Sequence, residues 1–116
     1  MAPKSIRNII PGSHSYHISK IFDGIHTGHP LAKLNLKTVR DYYAKVKEAL
    51  DEKDPSWRDR QGLAGQVDEI DYALDRLSGW TEAGNLEGNR DASVFLDALG
   101  GYFEVFISML DEVDAE

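Results

Sequence analysis

Four histidines fall in two pairs, His14-x-x-His17 and His26-x-x-His29, all near one end of the chain. Imidazoles three residues apart share one side of a helix, and two such pairs would offer four nitrogens to zinc or nickel. The second pair, however, straddles Gly28 and abuts Pro30, where a helix should be ending. A four-histidine centre with neither carboxylate nor thiolate is also uncommon. The expected role of His14, His17, His26 and His29 is therefore as surface or capping groups, with no metal and no other cofactor.

Carboxylates form the second chemical candidate. Asp68, Asp71 and Asp75, joined by Asp97 or Glu104, would hold magnesium against phosphates if they pointed together into a groove between helices. In being small, acidic and helical the chain resembles the MazG-like nucleotide pyrophosphatases, and that resemblance implies metal-dependent nucleotide hydrolysis. The paired Glu-x-x-Glu and Glu-x-x-Asp signature of that class is absent. Relative to Val67, Ile70 and Leu74, moreover, Asp68 and Asp75 fall on the outer side of a helix and Asp71 at its edge, so a solvated face is expected.

Other catalytic chemistries find no support. Gly84 and Gly88, like Gly24 and Gly28, are not followed by the Lys-Ser/Thr of a phosphate loop. Ser13, Ser15 and Ser19 lie near histidines with no nucleophile elbow around them. The chain has no cysteine, which excludes disulfides, thiolate metal centres and thiol nucleophiles, and fits a reducing cytoplasm. No apolar stretch approaches the roughly 20 residues of a spanning helix, and residues 1–12 lack the apolar middle of a signal peptide. A cytoplasmic, non-enzymatic protein with no membrane contact is the expectation.

Charge carries more information. The net charge of −7 divides unevenly: residues 1–50 hold eight basic and three acidic side chains, and residues 51–116 hold five basic and seventeen acidic ones. Asp97, Glu104 and Asp111 recur every seven residues, close to Glu112, and Asp68, Asp71 and Asp75 add to the same sign. Such a surface would attract a basic partner, imitating the charge of a nucleic acid. On the other half, Lys33, Lys37, Arg40 and Lys47 could contact phosphates, which makes direct nucleic-acid binding the alternative. The two halves could also neutralise each other across the fold. Of the tryptophans, Trp80 reads as part of a glycine-rich loop, where it would serve as an interface anchor or plug the end of a bundle.

These groups need a scaffold, and apolar spacing of three and four residues supplies one. Ile18, Ile21, Phe22 and Ile25 mark a short helix over about 15–25, ended by Gly28 and Pro30. Leu36, Val39, Tyr43, Val46 and Leu50 mark a second helix with Asn35 as its N-cap, whose exterior is basic. Asp54-Pro55 signals a new start, and Gly62 with Gly65 suggests that 55–64 is a separate turn. Leu63, Val67, Ile70, Leu74 and Leu77 then form a seam closed by Gly79, followed by a loop over 79–90. Asp91 or Asn89 caps a last helix with the longest seam, Leu96, Leu99, Phe103, Phe106, Leu110 and Val113.

Phe95, Tyr102, Met109, Ile107 and Val105 widen that last apolar face beyond one neighbour's reach. The helix must sit among the other three or bury part of itself against another chain, a homodimer included. Gly100-Gly101 at its middle predicts close packing of a crossing helix, with a hinge as the other reading.

The expectation is an all-α protein: a small four-helix antiparallel bundle, three long helices plus one short, over residues 14–116, with a flexible N-terminal arm over 1–13. In general character it is similar to the small acidic helical proteins found among phage-encoded inhibitors of host defence, antitoxins and immunity proteins. That similarity implies steric and electrostatic occlusion of a protein partner.

Overall fold

Each apolar seam folds as its spacing dictates. The computed structural model describes residues 5–28 and 31–115, and these form α1 (His14–Thr27), α2 (Ala32–Lys53), α3 (Gln61–Glu82) and α4 (Arg90–Ala115). Among the described residues there is no strand. The protein is an all-α bundle of three long helices and one short one, 45 × 27 × 19 Å in extent. Every residue named in the three long seams is buried, and all three seams meet in one core.

The helices pack as two hairpins, α1 with α2 and α3 with α4, closed by contacts of α1 with α4 and α2 with α3. At one end the Gly88 amide donates to the Ile25 carbonyl at 2.6 Å, which ties the start of α4 to the finish of α1. At the other end Lys53 and Asp114 stand 3.6 Å apart, which brings the finishes of α2 and α4 together. The centre is aromatic: Tyr43 meets Phe103 and Phe106 edge-on, each with ring centroids 5.7 Å apart. The Tyr43 hydroxyl donates to the Val67 carbonyl at 3.1 Å, so its polar tip is satisfied inside the core.

Because α1 is only 14 residues long against 26 in α4, it leaves part of the bundle uncovered. Residues 5–10 fill that space. A 3-10 turn (Arg7–Ile9) lies against α2 and α4 with Ile6 and Ile10 buried and Ile9 partly so. The Asp114 carboxylate holds it, accepting from Ser5 Oγ at 2.6 Å and from the Ile6 and Arg7 amides at 2.9 and 3.0 Å.

Local chemistry sets the helix ends. Gly28 closes α1 in the left-handed region at φ 68°, a conformation open to glycine at low cost. Gly24 serves packing instead, because a Cβ there would collide with that of Ala32, and its absence lets α2 start tight against α1. Asn89 caps α4 by accepting from the Ala92 amide at 3.0 Å.

Four local expectations are corrected. Helix α2 starts at Ala32, which places Asn35 inside the helix and buried, where a side chain on α1 engages it. Asp54-Pro55 opens a 3-10 turn (Trp57–Asp59) and α3 itself begins at Gln61, with Gly62 and Gly65 within it. Trp57 is buried at this corner, its Nε1 donating to Asp51 at 2.7 Å. Helix α3 runs past Gly79 to Glu82, and the contact of Trp80 with Phe95 is of the size needed to offset the roughly 1 kcal/mol that a helical glycine costs. Gly100-Gly101 receives no crossing helix: α4 continues unbroken through both, and an added Cβ at either would meet nothing within 4 Å.

By length and composition α4 is apolar enough to cross a bilayer, contrary to expectation, and its apolar seam is the side it buries in the bundle.

Candidate functional site

Helix α2 carries six basic side chains and α3 five acidic ones, and the bundle sets the two helices side by side. They flank a groove of about 1010 Å³ with Leu36, Tyr43 and Leu74 in its lining. Lys47 reaches Asp71 at 3.1 Å and Arg40 reaches Asp75 at 3.8 Å, while Arg40 also donates to Ser78 Oγ at 2.6 Å. Lys37 pairs with Asp41 on its own helix at 3.8 Å. Lys33 also lines this groove and is exposed. The two halves of the molecule thus oppose their charges here, and Asp71 and Asp75 join Arg40 and Lys47 in one mutually neutralised strip. Burial pushes the Tyr43 hydroxyl above its usual titration range, and the neighbouring Asp71 charge adds to that.

On the opposite side, α1 and α4 enclose a second groove of about 470 Å³. Ile18, Leu96 and Ile107 line it, Phe22 stands in it 43% exposed, and Gly100-Gly101 leaves it open. Asp97 and Glu104 line the same groove about 10 Å apart along the helix. Both are exposed, and no described Lys, Arg or His lies within ion-pair distance of either. Asp111, the third member of that line, has Arg7 at 3.7 Å. Glu112 and Asp68 are exposed elsewhere on the surface.

The carboxylates therefore separate by face. Asp71 and Asp75 line the α2–α3 groove, whereas Asp97 and Glu104 line the α1–α4 groove. They do not converge on one metal position, and no group of three or more His, Asp or Glu close enough to hold a metal occurs among the described residues.

The first histidine pair joins α1 to α2. His17 Nδ1 donates to Asn35 Oδ1 at 2.6 Å, with Ser13 Oγ 3.1 Å from Nε2, and His14 Nδ1 bonds the Tyr42 hydroxyl. The His14 ring also packs 4.7 Å from Phe103. Burial, helped by the adjacent His17, lowers the His14 pKa from 6.5 to about 4, so this imidazole is neutral at pH 7. His26 stacks on Phe22 at 4.2 Å, about 18 Å along α1 from His14, so the two pairs do not form one centre. His29 lies outside the described residues.

Trp80 stands on the last turn of α3 and not in a loop. Its ring is half-buried, 5.6 Å from Phe95 and beneath the Arg76 guanidinium at 4.7 Å. Tyr72 extends the row, 5.5 Å from Phe95 and 56% exposed. Sequence reasoning identified Asp97 and Glu104 but missed the groove they border. The only signal was negative, two adjacent glycines beside an acidic line with Phe22 at the edge of its own helical face. No protein-family model, no curated protein and no solved structure matches the chain.

Proposed function

We propose that this protein is a non-enzymatic interaction protein that binds and occludes a basic surface of another macromolecule through the acidic face of α4. The observation that carries this reading is the unequal use of its carboxylates. Asp71, Asp75 and Asp111 each have a cation of this chain within 4 Å, whereas Asp97 and Glu104 have none among the described residues and sit exposed beside an open groove. Charges that stabilise no internal contact are free to steer a partner. The basic face is the weaker candidate for nucleic acid, because Arg40 and Lys47 are already engaged with acids.

Side-by-side affinity capture from an extract of the source organism, read by quantitative mass spectrometry, tests this. The wild-type chain is expected to retain a protein with a basic surface that the Asp97→Lys/Glu104→Lys variant loses, with both baits showing the same helical circular dichroism. Equal retention by the two baits would reject the α4 face.

A further inference from the structure

Gly100 and Gly101 weaken α4 in a way that the bundle's own packing does not explain. Glycine inside a helix is unfavourable through backbone entropy, and two in succession sit at the middle of the longest helix. Gly24 shows what an internally required glycine looks like, since a Cβ there collides with Ala32. At Gly100 and Gly101 a Cβ would enter open space. Gly65 and Gly79 on α3 are equally open, but Gly100 and Gly101 alone among these line a groove, between Phe22 and Ile18 on one wall and Leu96 and Ile107 on the other.

We propose that this groove docks an amphipathic helix of a partner protein, with one bulky apolar side chain over Gly100-Gly101 and flanking lysines or arginines on Asp97 and Glu104. The proposal rests on the reading of α4 as the docking face and adds the shape and chemistry of what docks. Charge complementarity selects the occupant. Asp97 and Glu104 repeat at about 10 Å, the rise of two helical turns, so cations seven residues apart on a second helix match them. Lys20 on α1 does not compensate them, being 3.6 Å from Asp23 and 5.4 Å from the Tyr16 ring. A nucleic acid would bring phosphates against both carboxylates. A second copy of this chain docking α4 on α4 would oppose the same acidic line to itself. The apolar lining supplies what charge alone cannot, a pocket for an anchoring side chain of the kind that dominates helix-in-groove recognition.

The test uses a synthetic amphipathic helix of leucine and lysine as probe, titrated into the full chain and followed by amide NMR. Perturbed signals are expected to concentrate in residues 15–22 and 96–107. Gly100→Leu fills the groove while favouring the helix, so it should weaken the peptide by about tenfold or more without lowering the melting temperature. Asp97→Lys/Glu104→Lys should weaken it as well. Wild-type affinity in Gly100→Leu together with loss in the charge-reversed variant would overturn the groove and leave the acidic face standing. Wild-type affinity in both variants, or perturbations scattered over Asp68 and Glu112, would overturn both.

Discussion

His14 shows how a residue type that invites a chemical role is absorbed by structure. Its ring is packed on Phe103 and bonded to Tyr42, and the fold holds it neutral with a pKa of about 4 against 6.5 when free. A base whose pKa is depressed by folding binds its proton more readily in the unfolded chain. The stability it permits is complete above pH 6.5 and is lost as the pH falls toward 4. Asp114 acts lower on the scale. Its partial burial would raise its pKa, but hydrogen bonds from Ser5, Ile6 and Arg7 and the Lys53 charge hold the carboxyl below its usual 3.8, so its contribution fades only in stronger acid. Urea unfolding at pH 7 and pH 4 should therefore cost the wild-type protein about 2 kcal/mol more stability than a His14→Gln variant. Parallel losses in the two proteins would mean that the imidazole is not held neutral. None of this was legible in the His-x-x-His spacing, because the partners Tyr42 and Asn35 are 28 and 18 residues away and belong to another helix.

At the scale of the helices the two kinds of glycine make opposite predictions. Gly100→Ala/Gly101→Ala should stabilise the protein by about 1 kcal/mol per site, since helix propensity improves and nothing is displaced. Gly24→Ala should destabilise it by roughly 1–3 kcal/mol, since α1 and α2 must move apart to admit one methyl group. Thermal melts of the two variants against wild type decide the matter, and a fall in the melting temperature of the double alanine variant would show that α4 needs those glycines for its own packing. The seams of α2, α3 and α4 were readable because three-and-four spacing is a local property. Helix ends were not. Asn35 has every attribute of a cap, yet α2 begins one turn earlier, and Gly79 looks like a stop until Trp80 finds Phe95 on the neighbouring helix. Both decisions were made by tertiary contacts that no window of sequence contains.

Over the whole molecule, charge is sorted more finely than a basic half and an acidic half. The seam between α2 and α3 is where the halves neutralise, and the expectation of such mutual neutralisation is met at Arg40, Lys47, Asp71 and Asp75. What stays without an ion pair among the described residues includes the line of Asp97 and Glu104 on α4, which borders the α1–α4 groove. That remainder cannot be found by counting acids, because Asp75 and Asp97 are alike in sequence and differ only in what stands opposite them. A surface that steers a partner acts mainly on the association rate, and does so in a salt-dependent way.

The association rate constant of the captured partner, measured at about 20 and 200 mM salt for wild type and Glu104→Lys, tests the central claim most directly. Steering by α4 predicts a rate that falls with salt for the wild-type protein and is lower and flatter for the variant, with both proteins equally stable. Rates that coincide for the two proteins at both salt concentrations would contradict it.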